Sequence, residues 1–182
     1  ISVSPLTGVD GSFQGRVMVL RNVSLKKKAD ADLRASMAAL RTTFRQTVRV
    51  ETEIAASPER IWVLLTDAAG MSHWNSTVSA IGGEIALGQK LAIRVPISPR
   101  TFTPTVTVFD PPKRMIWQDG TAPVFQGRRT FEIEPLATGS SRFVMTETFS
   151  GVLMPMIGPS LPDFTPVFAH YAADLKREAE AA

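Results

Sequence analysis

The chain has 182 residues, of which 44% are hydrophobic and 20% are charged, as in an ordinary globular domain. Its formal net charge is +3 and its densest basic run is Lys26-Lys27-Lys28, which is too short for a nucleic-acid surface, so we expect no nucleic-acid partner. It has no cysteine and only two histidines, which excludes disulfides and cysteine-ligated metals and argues against a histidine metal site, so we expect no metal and no cofactor.

Residues 1–25 have the pattern of two strands around a tight turn. Val3 and Leu6 precede Asp10-Gly11, a dipeptide that favours positive φ, and residues 15–21 then alternate with β-branched side chains. The chain begins at Ile1 and shows no basic-then-apolar leader. We therefore expect a piece of a longer protein that lacks a signal peptide.

This hairpin resembles the closing hairpin of a PAS sensor domain. The resemblance is carried by Val3-Ser4-Pro5-Leu6, by Asp10-Gly11 and by the run from Gly15 to Ser24. It departs from the PAS pattern at Asn22 and Ser24, where an acidic residue and a threonine are usual. Since the cofactor pocket of such a domain would lie in the missing part, the resemblance implies no ligand for this segment.

Residues 26–46 are predicted to form an amphipathic linker helix. Leu33, Met37, Leu40 and Phe44 recur at spacings of four, three and four, which gives a single apolar stripe. One interpretation is a signalling helix that forms a homodimer through residues 26–46, but the stripe covers barely two heptads. We prefer the alternative, a helix packed on its own domain.

Residues 47–182 are predicted to form the main domain. A half-exposed strand at 47–54 precedes a helix that Ser57 caps and Pro58 begins, and residues 71–75 form a second short helix or turn. A last helix follows Pro162, with Phe164, Val167, Phe168, Tyr171 and Leu175 on its apolar stripe. Between these helices we expect strands at 77–86, 90–97, 102–110, 113–119, 126–135 and 141–150.

This order excludes a βαβ fold and predicts an α+β domain. We expect a curved antiparallel sheet of about seven strands whose inner face is covered by the long C-terminal helix, with an interior cavity between them. No apolar run approaches the ~20 residues that span a bilayer. We therefore expect a cytoplasmic protein without an integral membrane segment.

The main domain resembles the START-related SRPBCC superfamily, and within it the polyketide cyclase/dehydrase and lipid-transport group. The motifs that carry the resemblance are Ser57-Pro58-Glu59-Arg60-Ile61-Trp62, His73-Trp74-Asn75, Gly88, Phe109-Asp110-Pro111-Pro112-Lys113-Arg114, Phe125-Gln126-Gly127, Phe131-Glu132-Ile133-Glu134-Pro135 and Glu147-Thr148-Phe149-Ser150-Gly151. The resemblance implies the helix-grip, pollen-allergen-like fold. Fold alone does not fix function.

Three functions are consistent with this resemblance. The first is binding, transport or sensing of a small hydrophobic ligand, such as a lipid, polyketide or aromatic metabolite. The second is an enzyme of cyclase or dehydrase type that uses Glu147 and His170 as acid and base. Many members carry histidine where this chain has Arg129, which puts an imidazole role at that position in doubt. The third is an output domain of a PAS-linked sensor. We lean towards binding without catalysis.

The alternation of apolar residues predicts which side chains meet inside the sheet. Pairing Ile133 with Phe143 and Phe131 with Met145 places Arg129 directly opposite Glu147. This pair is either a structural ion pair or a polar anchor for a ligand in an apolar pocket. Arg129 should hold Glu147 ionised, which suits anchoring better than proton donation.

The other predicted ligand contacts are apolar or aromatic. Trp74 is expected at the core or cavity rim, Trp117 inside the sheet, and His73 on an exposed helix face. His170 lies beside the apolar stripe of the last helix and is expected to be partly exposed. The complete predicted set of ligand contacts is Arg129, Glu147, Trp74, Trp117, Phe131, Met145, Phe149, Phe168 and Tyr171.

Overall fold

The computed structural model describes residues 2–7, 13–19, 40–42, 44–137 and 139–181, and the chain divides into two compact units, residues 1–34 and 35–182. The first unit contains an antiparallel hairpin of β1 (Ser2–Thr7) and β2 (Phe13–Val19). The predicted pair of strands is therefore present. Its predicted turn, Asp10-Gly11, lies outside the described residues, and the likeness to a PAS domain stays a prediction.

The second unit is built on a six-stranded antiparallel sheet, the main sheet. From one edge to the other its strands are β3 (Leu40–Thr42), β4 (Arg45–Ile54), β11 (Ser141–Ser150), β10 (Phe125–Pro135), β9 (Arg114–Thr121) and β8 (Thr105–Asp110). A smaller antiparallel sheet contains β5 (Ala80–Gly82), β6 (Ala92–Val95) and β7 (Ser98–Phe102). Backbone hydrogen bonds of Val106 with Gly88 and Gln89, at 2.8 and 2.9 Å, connect β8 to the loop between β5 and β6.

Four α-helices of the described residues complete this unit. The first two follow β4, and the last two follow β11. They are α1 (Pro58–Thr66), α2 (Met71–Trp74), α3 (Met154–Ile157) and α4 (Thr165–Glu180). The long helix α4 contacts β4, β11, α1 and α2. The predicted α+β fold, a curved antiparallel sheet with a long C-terminal helix, is confirmed.

Local sequence explains where α1 begins and which face it buries. The hydroxyl of Ser57 accepts a hydrogen bond from the backbone N–H of Arg60 at 3.3 Å, and Pro58 occupies the first turn, where its missing N–H is not needed. Ile61 and Leu65 are four residues apart and fully buried. The predicted capped helix is therefore confirmed.

The side of the main sheet that packs on α4 is called the inner face below. Apolar residues at alternate positions form it: Val48 and Val50 in β4, Met145 in β11, Phe131 in β10 and Met115 in β9 are all at most 1% exposed. Since side chains alternate across a strand, this pattern fixes the register as well as the buried side. Burial of these residues stabilises the sheet against α4 by ~25 cal/mol per Å² of apolar surface.

The predicted linker helix over 26–46 is wrong at its C-terminal end. Residues 40–42 form β3, which pairs with β4 so that Leu40 lies opposite Thr47, and β4 begins at Arg45. Leu40 and Phe44 are four residues apart, an even spacing that suits one strand face as well as a helical stripe. The threonines around them favour the strand. Residues 26–39 lie outside the described residues.

The strand predictions between 77 and 110 are too long, and one strand is missing. Ala80–Gly82 is the only strand within 77–86, and the segment predicted as one strand at 102–110 is divided between β7 and β8. Pro99 lies within β7, although a proline lacks the N–H that a central strand needs. This is tolerated because β7 is an edge strand, where a missing N–H costs no ladder hydrogen bond.

Candidate functional site

The predicted pair of Arg129 and Glu147 is present on the inner face. The two residues are directly opposite in the β10–β11 register, and Nε of Arg129 donates to Oε2 of Glu147 at 2.5 Å. The Glu147 side chain is 9% exposed and that of Arg129 is 26% exposed. The sheet therefore carries a largely buried pair of opposite charges on a face that is otherwise mainly apolar.

Helix α4 covers this pair with an aromatic ring. The guanidinium carbon of Arg129 lies 5.1 Å from the ring centre of Phe168, which is a cation–π distance. Phe168 is 2% exposed. Arg129 is therefore held by Glu147 within the sheet and by Phe168 from the helix.

An aromatic row runs beside the pair, from the main sheet to α4 and α2. The ring of Trp117 lies 4.8 Å from Phe131, Phe131 lies 6.2 Å from Tyr171, and Tyr171 lies 6.0 Å from Trp74. All four side chains are buried. The row begins next to Arg129, since Trp117 is directly opposite Arg129 across β9 and β10.

Tyr171 is an acid that the fold keeps neutral. Burial raises its pKa far above the ordinary value of 10.0, and the positive charge of Arg129 opposes this shift only in part. Its hydroxyl donates to Sδ of Met71 at 3.9 Å, a weak hydrogen bond. The phenol therefore contributes a polar but uncharged group near Arg129.

Several buried donors have no acceptor among the described residues. They are Nε1 of Trp117, Nε1 of Trp74 and Nε2 of Gln46, and each belongs to a side chain that is at most 6% exposed. Buried polar groups normally have hydrogen-bond partners, so unpaired ones need an explanation. Gln46 lies on the inner face opposite Phe149 and next to Val48, whose own partner is Glu147.

A second aromatic cluster lies towards one end of the inner face. Phe125 and Phe149 are stacked at 6.2 Å, and Phe149 lies 5.3 Å from Phe164, just before α4. These rings are partly exposed, and the neighbouring Val124 and Val152 are 48% and 58% exposed. This end of the inner face is therefore apolar and partly open to solvent.

Asp174 fixes α4 to the connection after α2. Its Oδ2 accepts hydrogen bonds from the backbone N–H and the hydroxyl of Ser76, and its Oδ1 accepts from Arg177 at 2.7 Å. Arg177 also donates to the carbonyl of Trp74 at 3.0 Å. Burial alone would raise the pKa of Asp174, but the bonds from Ser76 and the charge of Arg177 outweigh it and lower that pKa below 3.8.

Most of the predicted contact residues meet on the inner face, but they differ in how far they are exposed to solvent. Phe131 and Met145 are 0% exposed and belong to the packed core, whereas Phe149 is partly exposed at the open end. His170 is exposed on α4 and His73 is exposed on α2, as expected for both. An acid–base pair of Glu147 and His170 is therefore not assembled in this structure.

Two site residues were missed by the sequence predictions. Gln46 was placed in the linker helix, although it precedes Val48 by two residues and so continues the inward phase of β4. Asp174 follows Tyr171 by three residues, which puts a carboxylate on the buried stripe of α4. A charged residue at a buried stripe position was the available signal for Asp174.

Two depressions in the surface lie on the other side of the main sheet. One of about 490 Å³ is lined by charged side chains that include Arg49, Glu132 and Arg142, and one of about 320 Å³ is lined by Arg128 and Thr146 among others. Neither lies between the sheet and α4. Among the described residues, no group of three or more histidine, aspartate or glutamate side chains is placed to hold a metal ion.

Known proteins identify the fold that carries this site. A family model described as polyketide cyclase/dehydrase and lipid transport matches residues 45–180. The chain belongs to this family. Its membership in the wider START-related superfamily, predicted from the sequence motifs, is confirmed, and the matched region begins at the first residue of β4.

Solved structures share the fold at low sequence identity. A START superfamily protein from Mycobacterium smegmatis is 18% identical, with a TM-score of 0.55 over 74% of this chain and 97% of its own. A point mutant of norcoclaurine synthase from Thalictrum flavum, in complex with a transition-state analogue, is 16% identical, with a TM-score of 0.59 over 77% of this chain and 97% of its own. No curated protein matches. These likenesses establish the fold alone.

The helices of the family domain are short or amphipathic. Within the part of the chain that the structure describes, no helix is both long enough and apolar enough to cross a membrane.

Proposed function

We propose that the domain binds a small hydrophobic molecule, such as a lipid, a polyketide or an aromatic metabolite, on the inner face between the main sheet and α4. The observation that carries this proposal is the buried Arg129–Glu147 pair on an apolar face. Taking two charges out of water costs free energy that their attraction repays only in part, so such a pair is a poor stabiliser of a core. It is a suitable polar anchor for an apolar ligand.

Apolar burial would supply most of the affinity. Each Å² of ligand surface removed from water contributes ~25 cal/mol, and one or two polar contacts set the orientation. The partly exposed rings of Phe125, Phe149 and Phe164 offer an apolar route to the inner face. In this arrangement Phe168 is the part of α4 that contacts the ligand beside Arg129.

Native mass spectrometry of the purified chain tests the proposal. We expect the intact protein to carry small-molecule adducts that disappear under denaturing conditions, and to take up apolar compounds from a cell extract. Gly127→Leu should reduce these adducts because its side chain would fill space beside Glu147 and Phe149. Thr130→Leu, on the same strand but at an outward position, is the matched control. A chain without adducts before and after incubation would exclude this function.

The same measurement separates carriage from catalysis. A ligand whose mass stays constant during incubation indicates carriage or sensing, whereas a new mass indicates conversion. The exposure of His170 favours carriage, since the second residue required by the cyclase or dehydrase alternative lies away from Glu147.

Three wider expectations accompany this proposal. The domain, taken as residues 47–182, would act in the cytoplasm, and it would serve as the output of a PAS-linked sensor if residues 1–25 belong to such a unit. A homodimer through the predicted linker helix would have to use residues before β3, because Leu40–Thr42 pairs with β4.

A further inference from the structure

Two buried hydrogen-bond donors of the inner face have no acceptor among the described residues. The indole Nε1 of Trp117 is unpaired, and Trp117 is 3% exposed. The amide Nε2 of Gln46 is also unpaired, and Gln46 is 3% exposed. Leaving such donors without an acceptor destabilises a folded protein, so a bound partner that supplies one would be favoured.

Both donors flank the ion pair. Trp117 is directly opposite Arg129, and Arg129 is directly opposite Glu147. Glu147 pairs with Val48, and Gln46 precedes Val48 by two residues on the same strand, so Gln46 is the diagonal neighbour of Glu147. Four neighbouring strands therefore place polar groups in an arc, in the order Trp117, Arg129, Glu147 and Gln46.

Trp117 determines whether a ligand must accept or donate hydrogen bonds at this arc. An indole N–H can donate but cannot accept, whereas the amide of Gln46 can present either its NH₂ group or its oxygen. The guanidinium of Arg129 adds further donors and no acceptor. The group that completes the arc must therefore accept hydrogen bonds.

The charges of the site decide whether that acceptor is ionised. Arg129 and Glu147 cancel each other, and burial keeps Tyr171 neutral. Asp119, opposite Gly127 on the neighbouring strand, is a further acid close to this end of the face. A ligand carboxylate would bring a second negative charge next to Glu147, and the described residues of the inner face supply no second cation to balance it, which is costly at low dielectric.

We infer that the ligand presents an uncharged acceptor oxygen, a carbonyl of the ketone or ester type, to Nε1 of Trp117 beside the Arg129–Glu147 pair. This inference rests on the proposed function and narrows its ligand class. It assigns Trp117 a role in specificity, in addition to its packing against Phe131.

Three fluorescent probes that share one ring system test the inference. Prodan is a neutral naphthyl ketone, its propyl analogue has CH₂ in place of the carbonyl, and a third analogue carries a carboxylate. They are titrated into the full chain with direct excitation of the naphthalene. We expect the ketone to bind about fivefold more tightly than the more hydrophobic propyl analogue, which corresponds to one net hydrogen bond. The carboxylate should bind more weakly than the ketone.

Trp117→Phe keeps an aromatic ring and removes the N–H. We expect it to abolish the preference for the ketone and to shift the emission of bound prodan to the blue, because the carbonyl loses its donor. Trp62→Phe is the control: it also removes an indole N–H, but Trp62 packs on Phe109 and its Nε1 is not among the unpaired buried atoms. If Trp117→Phe fails to fold, as judged by circular dichroism, Gln46→Leu replaces it in the experiment. This variant removes the other unpaired donor beside the ion pair and should reduce the preference for the ketone.

The outcomes separate this inference from the function on which it rests. Tight binding of all probes without preference, or a preference for the propyl or carboxylate analogue, would overturn the inference while leaving hydrophobic binding intact. A ketone preference that survives in folded Trp117→Phe, or in Gln46→Leu when that variant stands in, would overturn it as well. If none of the three probes binds, the inference fails, and the proposed function fails with it when native mass spectrometry also finds no bound molecule.

Discussion

Asp174 accepts two hydrogen bonds on one oxygen from Ser76, which lies 98 residues earlier in the chain: 2.8 Å from the backbone N–H and 2.6 Å from the hydroxyl. Arg177, one helical turn further along α4, binds the other oxygen. These bonds fix the long helix over the inner face. Phe168 belongs to the same helix, so these bonds also hold its ring over Arg129.

We expect Asp174→Asn to lower the free energy of unfolding at neutral pH by about 1–3 kcal/mol, because hydrogen bonds to a charged group are weakened. The folded-state pKa of Asp174 is lowered, so its contribution is fully present above the unfolded value of about 3.9 and disappears as the pH falls through the folded value. Urea unfolding at about pH 7 and about pH 3 should show the variant and parent converging in acid.

Glu178→Gln, on the same helix, is the control for that measurement. Within the described residues the carboxylate of Glu178 has no ion pair, so Glu178→Gln should cost little stability at either pH. A difference between Asp174→Asn and the parent that is constant in pH would contradict the assignment.

A double-mutant cycle should show that Arg129 and Glu147 interact strongly. We expect Arg129→Met and Glu147→Gln each to destabilise the domain by about 2 kcal/mol or more, and the double variant to cost about 1–3 kcal/mol less than their sum. Chemical denaturation measures all four proteins. Additive effects would mean that the buried pair contributes no coupling.

The same hairpin offers a matched pair on its exposed side. Arg142 and Glu134 are directly opposite across β10 and β11, with Nη1 and Oε2 2.8 Å apart, but their side chains are 44% and 65% exposed. Their coupling should be at most about 1 kcal/mol, as for surface pairs in general, and should weaken with added salt. A larger coupling energy for Arg142 and Glu134 than for Arg129 and Glu147 would show that burial does not determine the strength of the interaction.

Gly127→Ala should fold normally and bind ligand less well. A Cβ at Gly127 would lie 3.6 Å from Oε1 of Glu147 and from the ring of Phe149, which is ordinary contact distance, yet it would occupy space beside the pair. We expect an unchanged melting temperature and reduced prodan fluorescence. Gly120→Ala is the contrast, since its φ is +83° and its Cβ would lie 2.3 Å from the carbonyl oxygen of Phe125, so it should be destabilised.

Tyr171 allows a direct optical titration because it is the chain's one tyrosine. Its raised pKa predicts that phenolate absorbance does not appear near the ordinary value of about 10, but only when the domain unfolds. The stability contributed by the neutral phenol is complete below the unfolded pKa and is lost as the pH rises towards the folded one. A smooth titration near pH 10.0 in the folded protein would show that Tyr171 is accessible.

The sequence predicted the Arg129–Glu147 pair because local rules determine a hairpin. Apolar alternation in 126–135 and 141–150, with a short turn between them, leaves one register in which the buried residues share a face. The same reasoning failed at Leu40 and Phe44, whose spacing of four satisfies a helix and a strand alike. There the deciding contact is the pairing of β3 with β4.

Contacts between distant segments could not be predicted from local pattern. The bonds of Asp174 to Ser76 depend on how α4 lies over the connection after α2, which no spacing in either segment encodes. Gln46 was missed because the predicted helix extended to residue 46, whereas β4 begins at Arg45. The unpaired state of Trp117 depends on every group around it, so only a structure could show it.

The aromatic row that joins the main sheet to α4 and α2 also gives the domain an intrinsic optical signal. Tyr171 lies 6.0 Å from Trp74, so energy absorbed by the tyrosine passes to an indole and the emitted light is that of tryptophan. Two of the three tryptophans, Trp74 and Trp117, belong to this row, and only Trp62 lies outside it. Occupancy of the inner face should therefore change the colour of the protein's own fluorescence, without any label.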